Sequence, residues 1–313
     1  MNERACPSGI VRNQRGAALI AALLAAALVT TLASAMIFSQ QLDIRRSGNI
    51  IHGDQSRLYA LGVESWAVVL LGRAKAGEEH EFLGKALPSI MVEGGRVGGQ
   101  MDDLQGLFNI NNLILAGDEN QEKQRLQFRR LLAGCGLNED MEQAVSDWLD
   151  SDQEPRFPGG AEDREYLRRD PSYRAADRPM VDPGELALVH GFVGPAYEQC
   201  LKPLLSALPA ATPLNVNTAP APLLAALSDQ LDLRGAEQLV ADRPVRGYDS
   251  LADFLAHPAL AGSGLSAEDA GLLTVQSRYF MVQSEAAIGQ SRTVLYSVLK
   301  REGETVRVLR RNR

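Results

Sequence analysis

Apolar positions are continuous from Ala17 to Phe38 and become periodic after Leu42, and that change divides the chain. Gly16 to Leu42 is a run of 27 residues without a formal charge. As a helix, Ala17 to Phe38 would be about 33 Å long at ~1.5 Å per residue, enough for a bilayer's hydrocarbon core. Nine of those 22 residues are Ala, so neighbouring helices can approach its surface closely. From 43 to 76 the apolar residues Ile44, Leu58, Leu61, Trp66, Val69 and Leu70 recur among polar ones, with no Pro before Pro88. The pattern predicts that the helix runs on past the membrane as an amphipathic rod, weakest at Ser47-Gly48-Asn49. An ordinary surface helix is the plainer reading of the same stretch.

Beyond Pro88 the pattern shortens. Ile90, Val92, Val97 and Met101 alternate with Gly94, Gly95, Gly98 and Gly99, which predicts a hairpin. Gly106–Leu113 reads as a strand end entering a helix, with Asn111 or Asn112 as N-cap. At the far end, Arg278–Ala287, Arg292–Lys300 and Thr305–Arg311 are three β-like runs separated by turns at Gly289 and Gly303. They predict a meander paired with the strands near residue 100. Residues 113–274 read as helical almost throughout, with candidates at 121–132, 139–149, 184–189, 195–205, 220–227, 236–241, 250–255 and 267–273.

Formal net charge is −7; residues 1–16 carry +2, so the remainder carries −9. A body so acidic does not attract nucleic acid. Basic residues before the apolar run predict a cytoplasmic N-terminus and an exported remainder. Three readings of the N-terminus stay open on these residues: a signal peptide cut after Ala33-Ser34-Ala35, a plain membrane anchor, and a basic leader cut after Gly16.

Gln14-Arg15-Gly16-Ala17 resembles the cleavage site of type IV pilins and type II secretion pseudopilins. Gly106–Leu113 (GLFNINNL), Asp147–Glu154 (DWLDSDQE), Gly160–Tyr166 (GAEDREY), Leu214–Pro220 (LNVNTAP) and Val275–Phe280 (VQSRYF) resemble the K-type minor pseudopilins of type II secretion systems, the GspK family. The resemblance covers nearly the whole chain. It implies an α+β, pilin-like fold: a long N-terminal helix and a small antiparallel sheet, with a large all-α domain inserted. The expected divisions are a leader at 1–16, a transmembrane helix at 17–42, a core at 43–112 and 275–313, and an insert at 113–274.

The same resemblance implies a single-pass inner-membrane protein with a periplasmic C-terminal domain and no catalytic activity. It implies processing by prepilin peptidase between Gly16 and Ala17 with N-terminal methylation, and a place at the pseudopilus tip beside the I- and J-type minor pseudopilins. Related pseudopilins carry Glu at the fifth residue after cleavage, where it pairs with a neighbour's amine; here that residue is Ala21. A helix without that carboxylate suits a subunit with nothing above it. Ala17 also replaces the usual Phe at the new N-terminus. Cys6 leaves with the leader, so Cys135 and Cys200 remain as an even pair in an oxidising compartment and are expected to form a disulfide.

Seven carboxylates lie between Asp147 and Glu165, with only Arg156 and Arg164 among them. Pro155, Pro158 and Gly159-Gly160 make most of this stretch a loop. Composition allows a solvated acidic loop or a Ca²⁺ site, which takes six to eight oxygens. Resemblance to the K-type pseudopilins, which bind calcium in the helical domain, selects the second. The expected ligands are Asp150, Asp152, Glu162 and Asp163, followed by Asp147 and Glu154.

Leu214–Ala219 and Leu251–Leu255 also resemble parts of a helix-hairpin-helix DNA-binding module. Asp229 to Asp253 carries a net −3, which repels phosphate, so no nucleic-acid partner is expected. The competing function is a membrane-anchored periplasmic metal-dependent hydrolase built on the acidic loop. His52, His80, His190 and His257 show no HExxH spacing, and no G-x-S-x-G occurs. Trp148 and Phe157 read as packing residues, and Arg310, Arg311 and Arg313 as a solvated basic tail.

Overall fold

The computed structural model describes residues 15–74, 78–266, 269 and 271–312; the expected leader up to residue 14, with Cys6, lies outside them. Helix α1 spans Arg15–Arg73 without a break, including Ser47-Gly48-Asn49. At ~1.5 Å per residue it is about 89 Å long. It contains the chain's membrane-length apolar stretch, none of it buried. Its C-terminal part differs: Ser56, Ala60, Val63, Ala67 and Leu71, spaced three or four apart, are buried. That stripe lies on a five-stranded sheet, and its small side chains let the helix sit close.

The sheet comprises β1 (Ala86–Val92), β2 (Gly95–Asp103), β7 (Tyr279–Ile288), β8 (Ser291–Glu302) and β9 (Thr305–Asn312) in the order β1-β2-β7-β8-β9. All four pairings are antiparallel, with Met101 opposite Val282 and Val282 opposite Ser297. Phe280, Val282, Ser284, Ala286 and Ile288 alternate as the buried positions of β7, the period of a strand covered on one face. The predicted hairpin and C-terminal meander are therefore the sheet itself.

The second body occupies 104–278. Its helices are α2 (Asn112–Leu115), α3 (Asp118–Gly134), α4 (Met141–Leu149), α5 (Asp163–Tyr166), α6 (Ala221–Ala225), α7 (Leu233–Ala241) and α8 (Leu251–Leu255). Two short parallel pairs complete it: β3 (Phe108–Asn109) with β4 (Leu205–Ser206), and β5 (Leu214–Asn215) with β6 (Leu273–Thr274). Among the described residues of this body only α3, with 17 residues, is a long helix. The expectation of helix throughout 113–274 is corrected: Pro183–Leu188 is a 3-10 turn, and the helix expected at 195–205 is a π turn at Ala196–Leu201 followed by a 3-10 turn at Lys202–Leu204. The helix expected at 267–273 falls partly on undescribed residues, and Leu273 belongs to a strand.

The expected domain boundary also moves. Phe108, Ile110 and Leu113 belong to the core of the helical body, with Phe128, Trp148 and Leu205. Leu104 and Leu107, by contrast, pack with Tyr279 and Val298 of the sheet, so the helical core begins at Phe108, ahead of the expected boundary at residue 112. Cys135 and Cys200 form a disulfide inside this body, with an S–S distance of 2.08 Å.

Arg310 and Arg311 are not a solvated tail. Arg311 makes a two-pronged ion pair with the buried Glu64 of α1 at 2.7 and 2.8 Å, and Ser297 donates to the same carboxylate at 2.5 Å. Burial works to raise Glu64, but the bonds from Arg311 and Ser297 prevail and hold it below its ordinary value. Arg310 bonds Val181 O and lies 3.3 Å from the Asp182 carboxylate, joining the last strand to the helical body. Arg313 lies outside the described residues.

Candidate metal centre

Two groups of polar residues carry the helical body: one joins it to the sheet, the other is the acidic loop. At the joint, Asp103 is buried at the end of β2. Its Oδ2 accepts from Ser277 Oγ at 2.6 Å, Thr218 Oγ1 at 2.5 Å and Asn215 Nδ2 at 2.8 Å. Its Oδ1 accepts from the Gln105 amide at 2.8 Å. Burial pushes the Asp103 carboxyl up, and these donors counter it. Gly106 follows because a Cβ there would lie 2.6 Å from Thr218 Oγ1.

The asparagines of this region brace loops instead of capping helices. Asn111 occupies the N-cap position of α2 but makes no capping bond. Its Nδ2 donates to Met180 O and Leu208 O, both at 2.9 Å, and its Oδ1 accepts from the Met180 amide at 2.8 Å. Asn217 holds Tyr248 in the same two-way manner, at 2.7 and 3.0 Å. Each bracing side chain spans segments remote in sequence with bonds a buried backbone would otherwise lack. The resemblance to a helix-hairpin-helix opening thus falls on bracing residues. At α7 the Gly235 amide donates to Asp232 at 2.8 Å, so an acid already occupies the place a phosphate would take.

The acidic loop begins where α4 ends. Ala144, Val145, Trp148 and Leu149 bury one face of that helix. Trp148 meets Tyr166 of α5 edge-on at 5.0 Å, and Tyr166 stacks on Tyr173 at 5.5 Å. This aromatic contact fixes the start of the loop at Asp150 beside its end at Glu162. Gly159 and Gly160 let the loop double back: a Cβ on Gly160 would lie 2.3 Å from Arg156 O and from Asp147 Oδ2.

Carboxylate oxygens of Asp150, Asp152 and Glu162 lie within 4.8 Å of one another. Glu162 is buried, and neither of its oxygens has a hydrogen-bond partner among the described residues; the same holds for Asp150 Oδ1. Burial, then the charges of Asp147, Asp150, Asp177 and Asp152, push Glu162 up to about 8. Asp147 is fully buried beside the cluster. Its oxygens accept from Arg156 Nη1 at 2.6 Å and the Arg156 amide at 3.1 Å, and the same Nη1 reaches Asp150 at 2.5 Å. Arg156 is therefore the local counter-charge, but it leaves Glu162 unpaired.

Of the expected ligands, Asp150, Asp152 and Glu162 converge, and Asp147 stands alongside. Two do not join them. Asp163 accepts from the Ala175 amide at 2.9 Å and pairs with Arg174 at 3.2 Å, and Glu154 is exposed. The reason is α5: as its first residue Asp163 points across the turn, opposite its neighbour Glu162. Asp177 was missed. It reaches the cluster through the bond from its amide to Trp148 O at 3.1 Å, a contact with no local sequence signal. Phe157 is corrected from packing residue to a 93% exposed side chain, whereas Trp148 is 3% exposed.

Orphaned buried carboxylate oxygens fit a divalent cation, which would neutralise the repulsion they share. The donors are all oxygen, which suits a hard ion such as Ca²⁺ over zinc. Among the described residues the histidines lie elsewhere: His190 pairs with Arg169 and Glu165, and His257 caps the turn at Pro258.

Comparison with known proteins gives one answer throughout. Family models described as type II secretion system protein K match residues 106–210 and 214–276. The type II secretion system protein K of Pseudomonas aeruginosa is 39% identical over 96% of this chain and 93% of its own. That of Klebsiella pneumoniae is 31% identical over 95% and 96%. A chain of the solved GspK–GspI–GspJ complex from enterotoxigenic Escherichia coli superposes with a TM-score of 0.74, covering 85% of this chain and 98% of that one at 24% identity.

Proposed function

The chain belongs to the protein K family of type II secretion systems, and we propose that this minor pseudopilin caps the tip of a periplasmic pseudopilus. In this reading α1 anchors it in the inner membrane until assembly, after prepilin peptidase cuts between Gly16 and Ala17. The sheet and helical body stand in the periplasm and meet I- and J-type pseudopilins like those in the solved complex. The role is assembly, without catalysis. One observation carries the capping assignment: α1 holds no carboxylate between Ala17 and Leu42, and Ala21 stands where a shaft subunit would offer its acid. A carboxylate in hydrocarbon is retained only where it has a partner; a cap has no subunit above it to pair with. The bulk of residues 104–278 supports the same place, since a fibre end leaves room that a packed shaft does not.

Antibody labelling of sheared pseudopili tests this, with labels expected at one end only and no crosslinks between copies of this chain. Labels and self-crosslinks running along the shaft would overturn it.

We also propose that Asp150, Asp152 and Glu162 hold a structural Ca²⁺, with Asp147 and Asp177 adding charge. Bound there, the ion supplies positive charge that neutralises the converging carboxylates and ties the end of α4 to the start of α5. Calorimetric titration of chelator-treated protein should show calcium binding that Asp150→Ala with Asp152→Ala removes.

A further inference from the structure

A cavity of about 610 Å³ opens where the sheet meets the helical body, a size within the ~300–1,000 Å³ range of ligand clefts. Leu83 and Met281 line it on the sheet side, Pro203 and Pro244 on the helical side. Arg243, two residues past the end of α7, lines it as well.

Arg243 lacks a counter-charge. Its Nη2 donates to Ala219 O at 2.7 Å, but its Nε is buried without a partner, and it forms no ion pair among the described residues. Burial pushes its guanidinium down from the ordinary value. Other inward guanidiniums have their acid: Arg129 pairs with Glu142, Arg156 with Asp147 and Arg301 with Glu79. The acids that line the same cavity do not supply one here. Asp103 is taken up by its four donors, and Asp102 Oδ1 accepts from Gln100 at 2.8 Å. A charge withdrawn from water without a partner is costly.

Beside Arg243, Val245 is 99% exposed, an apolar side chain that nothing in the chain covers. Its turn is fixed: the Gly247 amide donates to Pro244 O at 2.8 Å, and Asn217 holds Tyr248.

A guanidinium with free N–H groups suits a carboxylate. A phosphate would bring a second negative charge into a cavity already lined by Asp102 and Asp103. The space is too large for one small anion, and its apolar walls extend to both sides. The acid that fits therefore carries apolar neighbours before and after it, whereas a chain end would supply them on one side only.

We propose that this cavity binds an extended segment of another protein, an Asp or Glu between apolar residues, with the carboxylate on Arg243. The site rests on the cavity alone and stands whether or not the chain caps a fibre.

The test titrates peptides into full-length protein in detergent, its arginines labelled with nitrogen-15 and the Arg243 signal assigned by its loss in Arg243→Lys. The probes are acetyl-Ser-Leu-Glu-Val-Ser-amide, its Gln counterpart, and acetyl-Ser-Leu-Val with a free C-terminal carboxylate. The Glu peptide should move the Arg243 signal saturably. The Gln peptide should bind about tenfold more weakly or worse, a difference of about 1.4 kcal/mol. This pair of probes needs no substitution, so the result stands even if replacing Arg243 loosens its brace on Ala219. Val245→Glu, at a fully open side chain, should leave Tm unchanged and weaken the Glu peptide by a similar factor. Glu and Gln peptides that bind alike, or a signal that neither moves, would overturn the site. Tighter binding of the free-carboxylate peptide would overturn the internal acid as its occupant.

Discussion

Glu162 should make the metal-free protein lose stability as pH rises, which calcium should reverse. The carboxyl has an ordinary value of 4.5 and is pushed up to about 8 by burial and by its acidic neighbours. Between those values the folded protein holds a proton that the unfolded chain releases, so stability falls through this window and the loss is complete above pH 8. At about 1.4 kcal/mol per pH unit the ceiling is roughly 5 kcal/mol. Water reaching the exposed Asp152 screens part of this, so the expected loss is ~2–3 kcal/mol. For a protein of this size that is about 5–10 °C in Tm.

The assay is calorimetry of full-length protein in detergent with chelator, at pH 5.5 and pH 8.5, then with calcium. Because the ion binds the charged carboxylates, its stabilisation should grow over the same range. Glu162→Gln should flatten the metal-free profile, raise Tm at pH 8.5 and abolish the calcium response. Any slope that survives the substitution reports the other raised carboxyls, Asp103, Asp147 and Asp177. A metal-free wild type with equal Tm at both pH values, or a Glu162→Gln protein that keeps both slope and calcium shift, would refute the reasoning.

Cys135→Ser should lower stability by up to ~4 kcal/mol, because the disulfide closes a loop with a sequence separation of 65; denaturant unfolding against oxidised wild type checks this, and reduced wild type should match the variant. Arg311→Ala strands the buried Glu64 and should cost ~2–3 kcal/mol at pH 7, with the deficit shrinking as pH falls and Glu64 protonates. Gly106→Ala drives a Cβ into Thr218 at the joint and should cost ~1–3 kcal/mol, read in urea, whereas Gly134→Ala, within α3 and with nothing within 4 Å, should be neutral or slightly stabilising.

Periodicity made the elements at the two ends of the chain legible. The β7–β9 meander alternates buried and open positions, and α1 shows its stripe because each face meets a single environment, bilayer or sheet. The middle resisted because its apolar positions are fixed by bracing side chains instead of repeating backbone. Asn111 and Asn112 read as cap residues, since that is the local use of asparagine. Their actual partners, Met180, Leu208 and Thr212, are about 70 to 100 residues away. The acidic loop shows the same division. Its carboxylates are visible as a run, but which of them converge depends on Trp148 meeting Tyr166 and on α5 separating Glu162 from Asp163.

The bracing residues connect the membrane helix to the helical body. Glu64 and Arg311 fasten β9 to α1, Arg310 fastens β9 to the segment at Val181, and Asp103 fastens β2 to Asn215 and Ser277. The middle fastening is open to solvent at Arg310, whereas Asp103 is buried and bonded by four donors. The stretches that resemble the protein K family fall largely on these joints and on the acidic loop, whereas the long exposed half of α1 contributes none beyond its processing site. A subunit at a fibre end has no copy above it to fix its orientation. If this chain stands at a fibre end, as proposed, the direction in which its large body faces must come from fastenings within the chain, and these run from α1 through the sheet to Val181, Asn215 and Ser277.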